Sequence, residues 1–590
     1  MSRSRLLAFA VALPTIVAAC ASGGRQATAV APVTAASDAV EGPMGLGSTT
    51  GVVVSQSTIG SEVGAEILRK GGNAIDAAIA TGMAMVITNP SNANLGGGGF
   101  LVVRRPNGQV ETIDFREKAP LKASADMYVD PATGRSRWQG SGYLAPGVPG
   151  TVAGFYLAHQ RHGKLPWKDL VLPAHKLAEK GVVLPSLASA INRLTQGTGR
   201  MTRFPSSMRA YGKTGGGAWA ASDTIKLPDL ARSMHAIAEG GRDAFYKGWI
   251  ADSIDVDMRR NGGLITKEDL AKYQAVVREP VRTTYKGYDL ALMGPPTGGG
   301  VIIAEALAIL ENYDLKFMGQ TSPQAVHLVL EALRRAFLDR ARYLGDPDFV
   351  RDMPIARITS KAYGKELAAT ISPTTASVSA LLGKDILATG LPAESDETTH
   401  YSVIDKDGMA VSITYTLEGG YGSAVVASGT GFILNNEMGD FNRVPGQTDS
   451  TGSVGTLPNQ IAPEKRMLSS MAPVIVSRNG KVVLITGSPG GRTIPSTVLG
   501  VLLGFMEFGY HGRQAVEAPR INHQWMPDRG TVETDATPAI PQSTLDALAA
   551  MGHSVRDGGG GSAHSIWVDL TTGIAYGVAD KRQRGSYAAR

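Results

Sequence analysis

The sequence has little of what thiol and metal chemistry require. It contains one cysteine among 590 residues, which excludes an intrachain disulfide and a metal site built from several thiolates. Its ten histidines form no HExxH motif and no close pair at ligand spacing, which argues against a metal centre. We therefore expect neither a metal ion nor any other cofactor.

The charge is also modest. The net charge is +6, and no basic cluster alternates with aromatic residues, so a nucleic-acid partner is not expected. Glycine-rich loops occur at 96–99, 298–300 and 558–561, but none carries the Gly-Lys-Ser/Thr or GxGxxG pattern of a phosphate loop. Tight turns and close packing explain these loops better. No internal repeat at a fixed period is visible.

The N-terminus has the pattern of an export signal. Arg3 and Arg5 precede Leu6 to Ala19, an apolar run of 14 residues that is too short to span a bilayer comfortably. The single cysteine, Cys20, follows this run directly, and the stretch 17–20 resembles the lipobox of bacterial lipoproteins.

We expect residues 1–19 to be a signal peptide and residues 20–48 to be a lipidated tether that begins at Cys20. Ordinary signal cleavage near Cys20 is the alternative. Both interpretations predict export to the periplasm, and Ala21 after the cysteine favours the outer membrane. A lipid anchor would be the only contact with the membrane.

The most informative segment lies at 396–408, two thirds of the way along the chain. A threonine hydroxyl is a weak nucleophile unless a base lies beside it. A threonine that begins a chain has such a base in its own α-amino group, whose pKa is about 8. Thr398 would gain this group only if the chain cut itself between Glu397 and Thr398.

The same segment predicts a β-hairpin. Residues 398–404 alternate as a strand, residues 405–408 form a turn, and residues 409–417 return. This pairing places Thr398 opposite residue 415 or 417, so Thr416 lies within about one position of it. A hydroxyl beside the nucleophile would suit catalysis, although threonine is also simply a good strand former.

Other elements can be predicted from local signals. Residues 52–54 are predicted to form a buried strand. Residues 61–70 are predicted to form a helix that ends at a pair of glycines. Asn73 is expected to cap a helix over 74–88, and Thr266 to open a helix through a capping box.

Seven segments spread along nearly the whole chain carry recognisable motifs, namely 71–78, 114–117, 147–154, 398–403, 435–438, 468–471 and 487–491. Together and in this order they resemble the motifs of the γ-glutamyltranspeptidases, a family of N-terminal-nucleophile hydrolases. The resemblance implies an α+β fold, a four-layer αββα sandwich. It also implies that one precursor cuts itself into a large subunit, 49–397, and a small subunit, 398–590, which interleave as a heterodimer.

The resemblance also implies catalytic roles. Thr398 would cut the chain after Glu397 and would then attack the substrate amide. Thr416 would orient its hydroxyl. The backbone N–H groups of Gly490 and Gly491 would form an oxyanion hole, where glycine allows a close approach of the main chain.

For the substrate, the resemblance implies a site that binds the free α-carboxylate and the free α-ammonium of the same molecule. Arg116 would bind the carboxylate through its planar fork, helped by Ser469 and Ser470. The ammonium would be held by three acids, namely Glu418, Glu437 and Asp440. Taken without the other motifs, Arg116 would more simply form an ion pair with Asp114 or Glu117, and the acids and serines would be ordinary surface groups.

The function that the resemblance implies is a γ-glutamyltransferase and glutathione hydrolase. Its small-molecule partners would be glutathione and other γ-glutamyl compounds, with amino acids or peptides as acceptors. One alternative is a cephalosporin acylase-like amidase of the same fold, which accepts a glutaryl group. A second is a non-catalytic binding module, although a binder has no need of the self-cleavage residues.

Overall fold

The computed structural model of the protein describes residues 42–386, 397–448, 454–583 and 587–590. These residues belong to one compact unit, Ser37–Arg590. The expected signal peptide, Cys20 and most of the expected tether lie outside the described residues. Within the described ranges, no helix combines the length and the apolar character needed to cross a bilayer.

The strands form two seven-stranded sheets and one three-stranded sheet. Their bounds are β1 (Leu46–Ser48), β2 (Gly51–Ser55), β3 (Gly98–Arg104), β4 (Val110–Asp114), β5 (Val276–Arg278), β6 (Val281–Tyr285), β7 (Tyr288–Leu292), β8 (Thr399–Asp405), β9 (Ala410–Thr416), β10 (Val474–Arg478), β11 (Lys481–Thr486), β12 (Ile521–His523), β13 (Gly530–Val532), β14 (Val555–Asp557), β15 (His564–Val568), β16 (Ala575–Ala579) and β17 (Tyr587–Ala589).

The helices lie mostly on the outer faces of the two large sheets. Their bounds are α1 (Thr58–Arg69), α2 (Ala74–Thr88), α3 (Thr151–His162), α4 (Trp167–Lys180), α5 (Pro185–Thr195), α6 (Pro205–Tyr211), α7 (Pro228–Tyr246), α8 (Trp249–Arg260), α9 (Lys267–Lys272), α10 (Gly299–Leu310), α11 (Leu315–Met318), α12 (Pro323–Tyr343), α13 (Ile355–Ile358), α14 (Lys361–Ala368), α15 (Ser379–Leu382), α16 (Ile494–Met506), α17 (Arg513–Glu517) and α18 (Gln542–Ala550). Short 3₁₀ turns occur at Arg200–Arg203, Glu437–Asp440, Leu457–Asn459 and Gly491–Thr493.

The first large sheet has the order β17-β2-β8-β9-β3-β4-β5, and the second has the order β1-β16-β15-β11-β10-β7-β6. All neighbouring strands in both sheets are antiparallel. Hydrogen bonds join the facing sheets, for example from Ser412 Oγ to the Thr486 carbonyl at 2.9 Å. The sheets therefore form the two inner layers of the molecule.

Side chains of the first sheet alternate between two cores. In β3, Leu101 and Val103 pack with α2, α4 and α7, whereas Phe100 and Val102 pack with the second sheet and with α10, α12 and α16. This alternation is the usual consequence of the strand pleat. The layers thus run helix, sheet, sheet, helix, in agreement with the four-layer expectation.

The local predictions agree closely with the observed elements. Asn73 and Thr266 each form a capping box, at the start of α2 and of α9. The predicted hairpin is β8 and β9, but its loop is longer than a two-residue turn, and Ile404 pairs with Ala410. This register corrects the position opposite Thr398, which becomes residue 416 itself rather than 415 or 417.

Strands from the two sides of the expected cut alternate in the first sheet. β8 and β9 follow Thr398 in sequence, and they lie between β2 and β3, which precede it. A cut before Thr398 would therefore leave the backbone hydrogen bonds of four central strands in place. This arrangement is why we expect the two fragments to stay associated.

Candidate active site

Two threonine hydroxyls meet at one peptide carbonyl. Thr398 directly precedes β8 and is buried, with 3% of its surface exposed, and its Oγ1 donates to the Glu397 carbonyl oxygen. Thr416, the last residue of β9, donates to the same oxygen at 3.2 Å. The backbone N–H of Glu418 donates to Thr416 Oγ1 at 2.9 Å, so the Thr416 proton is left for Glu397. Both hydroxyls thus lie at the bond expected to be cut.

Gly490 and Gly491 lie in the connection between β11 and α16. Gly490 has a φ of +123°, and a Cβ there would lie 2.6 Å from Thr493 Oγ1, so the position requires glycine. The Gly490 carbonyl accepts from the Thr493 N–H at 2.9 Å, which turns the chain into α16. Among the hydrogen bonds of the described residues, none uses the N–H of Gly490 or Gly491. Both N–H groups can therefore serve as donors to a ligand.

Arg116 lies just beyond the end of β4 and is fully buried. Its Nη1 donates to Glu437 Oε1 and its Nη2 to Asp440 Oδ2, while Nε donates to the Met467 carbonyl at 3.3 Å. Glu117 Oε2 lies 3.7 Å from Nη1. The cation and the acids that the resemblance assigns to opposite ends of a ligand are thus bonded to each other.

This group places three carboxyl groups around one guanidinium. Burial alone would lower the pKa of Arg116, but the Glu437, Asp440 and Glu117 carboxylates raise it above its ordinary value. Burial raises the pKa of Glu117 to about 8 and that of Glu437 well above its usual range, although Arg116 opposes both shifts. A ligand that brings its own cation would relieve the repulsion between these acids.

Two residues beside Arg116 that line the same cavity each have a polar atom without a partner among the described residues. The atoms are Glu437 Oε2, an acceptor, and Ser470 Oγ, which can donate. Both residues line a narrow cavity of about 20 Å³ beside Thr398, which we call the acidic pocket. Buried polar atoms without partners are uncommon in folded proteins. One missing donor and one missing acceptor suit a ligand with an ammonium and a carboxylate group.

The acidic pocket gathers every residue that was predicted to bind the substrate. It is lined by Arg116, Glu418, Glu437, Asp440, Ser469 and Ser470, together with Thr398, Thr416 and Gly491. Gly490 lines a second pocket, which also includes Glu397 and Thr398. The fold thus brings the predicted catalytic and substrate-binding residues to one place.

Asn435 joins three segments of the chain next to the site. Its Nδ2 donates to the carbonyls of Gly96 and Gly147, and its Oδ1 accepts from the N–H groups of Gly147 and Glu437, all at 2.7–2.9 Å. A buried amide with four hydrogen bonds is fully satisfied and therefore rigid. It fixes the 3₁₀ turn Glu437–Asp440 against the 96–99 loop and against Gly147, which precedes α3.

Sequence reasoning missed three neighbours of this site. Asn92 Nδ2 donates to the Thr398 carbonyl at 3.0 Å, and Asn436 Nδ2 bonds Glu418 Oε2. Glu117 was considered only as a local ion-pair partner of Arg116. Asn436 lies inside a motif that was recognised, whereas nothing local to Asn92 marks it.

One group of described residues has the donor types of a cation site, namely His327, Glu331 and His553. The atoms that could bind a cation already have hydrogen-bond partners. His327 Nδ1 and His553 Nε2 are hydrogen-bonded to each other at 2.7 Å. Glu331 accepts from Arg334 at 3.1 Å and from Arg335 at 2.5 Å. We interpret this group as a buried hydrogen-bond and ion-pair network within the helical layer around α12.

The chain is similar to known proteins along most of its length. The family model described as gamma-glutamyltranspeptidase matches residues 60–590. The chain belongs to the gamma-glutamyltranspeptidase family. It is similar to the glutathione hydrolase proenzyme of Escherichia coli strain K12, with 44% identity over 534 residues that cover 90% of each chain. Family membership explains why the motifs on both sides of Thr398 converge.

Acylases are also similar to this member of the gamma-glutamyltranspeptidase family. The acylase ACY 1 proenzyme of Pseudomonas sp. strain SE83 is 37% identical over 543 residues, which cover 90% of this chain and 92% of that one. The crystal structure of a cephalosporin acylase from Bacillus halodurans superposes with a TM-score of 0.79 at 25% identity, covering 92% of this chain and 96% of that one. The α+β fold of N-terminal-nucleophile hydrolases is confirmed by this likeness.

Proposed function

We propose that the protein is a self-processing γ-glutamyltransferase and glutathione hydrolase with Thr398 as its nucleophile. The observation that carries this proposal is the meeting of the Thr398 and Thr416 hydroxyls at the Glu397 carbonyl, beside a pocket of paired charges. Family membership and the 44% identity to a glutathione hydrolase proenzyme support it.

In maturation, Thr398 Oγ1 attacks the carbonyl carbon of Glu397. The acyl group passes from nitrogen to oxygen, and the resulting ester is hydrolysed, which frees the Thr398 α-amino group. Thr416 donates to the carbonyl oxygen that becomes negative during attack, so its hydroxyl stabilises the developing charge. The products are a large subunit that ends at Glu397 and a small subunit that begins at Thr398.

In catalysis, the freed α-amino group accepts the Thr398 hydroxyl proton, and Oγ1 attacks the γ-amide carbonyl of the substrate. The amine leaves with a proton, and a γ-glutamyl ester remains on Thr398. Water or a second amine then takes the acyl group, and the proton returns to Oγ1. In our proposal, the N–H groups of Gly490 and Gly491 bind the oxyanion in both steps.

For the substrate, we propose that Arg116 and the two serines bind the α-carboxylate and that the acids bind the α-ammonium. The unpartnered Glu437 Oε2 and Ser470 Oγ support this assignment, because each lacks what one end of a free amino acid supplies. Since a glutaryl group has no ammonium, it would leave Glu437 without a partner. The same observation favours a γ-glutamyl substrate over the acylase alternative.

A comparison of two chromogenic donors tests this function. The purified, cleaved protein is given a γ-glutamyl anilide and a glutaryl anilide with the same leaving group. We expect faster turnover of the γ-glutamyl donor and a small-subunit mass adduct of one γ-glutamyl group when the reaction is quenched. Preferred turnover of the glutaryl donor would favour the acylase function, and no turnover of either would refute the enzyme proposal.

We also propose that the protein is exported to the periplasm and anchored in the outer membrane through a diacylated Cys20. The single cysteine directly after a 14-residue apolar run supports this proposal. Replacement by Cys20→Ser would move the protein from the membrane fraction to the soluble periplasmic fraction. An unchanged distribution, with no lipid on Cys20 in the wild type, would favour ordinary signal cleavage.

A further inference from the structure

A buried arginine holds the start of the segment that carries the two serines, 469–470. Arg466 lies three residues before this segment and is 1% exposed, and its backbone N–H donates to Asp346 Oδ2 at 2.7 Å. Its Nη2 donates to the Gln274 carbonyl at 2.8 Å, and its Nη1 donates to Asp348 Oδ2 at 3.3 Å. The main chain and the side chain of Arg466 are thus both held, at a position that the proposed mechanism does not use.

Asp114 connects Arg466 with Arg116. It is fully buried at the end of β4, and its Oδ1 accepts from the backbone N–H of Arg116 at 2.9 Å. Its Oδ2 lies 3.3 Å from Arg466 Nε, as an ion pair without the alignment of a hydrogen bond. The same oxygen accepts from Arg278 Nε at 2.7 Å. One carboxylate therefore contacts the main chain of Arg116 and the guanidinium of Arg466.

The serine segment also contacts Arg116 directly. Arg116 Nε donates to the carbonyl of Met467, the residue that follows Arg466, at 3.3 Å. The other end of the segment is held separately, because the Ser469 N–H and carbonyl are bonded to the 296–298 loop at 2.9 and 2.8 Å. Arg466 therefore fixes the end of the segment that contacts Arg116.

Five charged residues form this buried network, which we call the Arg466 cluster: Asp114, Arg278, Asp346, Asp348 and Arg466. Arg466 follows Thr398 in sequence and the other four precede it, so the cluster would join the two subunits after cleavage. Burial alone would lower the pKa of Arg466, but the carboxylates of Asp114 and Asp346 raise it above its ordinary value. Removal of one partner from a buried ion pair is strongly destabilising, so the cluster resists rearrangement.

The proposed carboxylate site takes its donors from both of the segments that this cluster joins. Arg116 supplies the guanidinium, and Ser470 Oγ, in a residue that is 7% exposed, has no partner in the described part of the chain. Charge-assisted hydrogen bonds to a carboxylate need short distances and good alignment. Donors from two segments can therefore bind one carboxylate together only if the segments keep a fixed spacing.

We propose that Arg466 is a positioning residue for the α-carboxylate of the substrate. It sets the spacing between Arg116 and Ser470 through its contacts with Asp114 and through its own main chain. Arg466 does not line the acidic pocket and takes part in no covalent step. This inference rests on the proposed function, because the ligand that it concerns is the free amino acid end of a γ-glutamyl compound.

Two inhibitors separate binding of the α-carboxylate from the other contacts of the substrate. L-glutamate carries an α-carboxylate, an α-ammonium and a γ-carboxylate, and 4-aminobutyrate is the same molecule without the α-carboxylate. Each is titrated against turnover of a γ-glutamyl anilide by the cleaved protein. The readout is the inhibition constant of 4-aminobutyrate divided by that of L-glutamate. This ratio does not depend on the fraction of molecules that have matured.

We expect Arg466→Lys to lower this ratio about tenfold, which corresponds to about 1.4 kcal/mol. Lysine keeps the charge but lacks the planar fork, so L-glutamate should bind more weakly while 4-aminobutyrate keeps its affinity. Arg334→Lys is the matched control, because Arg334 is equally buried, is paired with Glu331 and Asp528, and does not line the acidic pocket. Its ratio should equal that of the wild type. If Arg466→Lys raised both inhibition constants by the same factor, Arg466 would only stabilise the fold and the proposal would be wrong.

Asp348→Asn tests the same cluster with a milder change, in case Arg466→Lys does not fold or mature. The Asp348 side chain is 48% exposed and lies 3.3 Å from Arg466 Nη1. We expect the ratio to fall about threefold, as for the loss of a partly exposed ion pair. An unchanged ratio in this variant would contradict the proposal. Failure of the proposed function gives a different result, in which the wild type does not turn over the γ-glutamyl anilide.

Discussion

The role of Glu437 offers a sharp test of how the substrate is chosen. Glu437 is 1% exposed, its Oε1 is bonded to Arg116, and its Oε2 has no partner in the described part of the chain. In our account the free oxygen accepts from the α-ammonium of the substrate. Replacement by Glu437→Gln keeps the size of the side chain and one oxygen but removes the charge.

The expected magnitude follows from the type of bond that is lost. A hydrogen bond to a charged group contributes about 1.5–3 kcal/mol. Because about 1.4 kcal/mol corresponds to a factor of ten, kcat/KM for a γ-glutamyl anilide should fall about 10- to 150-fold. A glutaryl anilide has no ammonium, so its kcat/KM should change less than about threefold by the same reasoning.

Glu117→Gln is the matched control for this change. Glu117 also lies next to Arg116, at 3.7 Å, but it does not line the acidic pocket. Its replacement should therefore change both donors by a similar factor. If Glu437→Gln also lowered kcat/KM for both donors equally, then Glu437 would only hold Arg116, and our assignment of the ammonium site would be wrong.

Three further changes test other parts of the site and fold. Thr416→Val removes a donor to the scissile carbonyl and should slow self-cleavage about tenfold or more on denaturing gels, whereas cleavage at the wild-type rate would exclude this role. Burial raises the pKa of Glu117 from 4.5 to about 8 on folding, so the folded state binds more protons and stability falls as pH rises through this interval. Glu117→Gln should therefore flatten the decline of Tm between pH 5 and 8, and an unchanged slope would contradict the shift. Arg334 is buried against Glu331 and Asp528, so Arg334→Ala should destabilise the protein by about 3–5 kcal/mol in denaturant unfolding while Arg334→Lys does so less. Equal stability of Arg334→Ala and the wild type would show that the network contributes nothing.

Local elements of the fold could be predicted because short-range signals determine them. The Asn73 side chain caps α2 by accepting from an N–H three residues later in the chain. Such a capping box can be recognised from four consecutive residues of the sequence. The hairpin of β8 and β9 is equally local, and it brought Thr416 beside Thr398. Its exact register was wrong by one residue, because the loop is longer than the two-residue turn expected within 405–408.

The partners of Arg116 could not be predicted from local pattern. They come from a turn more than 300 residues later in the chain, and only the packing of that turn through Asn435 brings Glu437 and Asp440 to the guanidinium. The motifs showed which residues belong to the site. They did not show that the guanidinium would donate directly to two of the acids.

The position of Asn92 beside Thr398 could not be predicted from the sequence either. Its importance depends on one hydrogen bond to Thr398 and one unpartnered oxygen, neither of which leaves a signal in the sequence. An asparagine in a polar loop is most simply a turn residue. Only the assembled fold shows that its side chain holds the Thr398 carbonyl.

Self-cleavage at Thr398 is the central claim, and intact-mass analysis of the purified protein under denaturing conditions tests it most directly. We expect the wild type and Thr398→Ser to give two fragments that meet between Glu397 and Thr398, and Thr398→Ala to give one uncut chain. A wild-type chain that stays whole, or a Thr398→Ala chain that is cut at the same bond, would contradict the account.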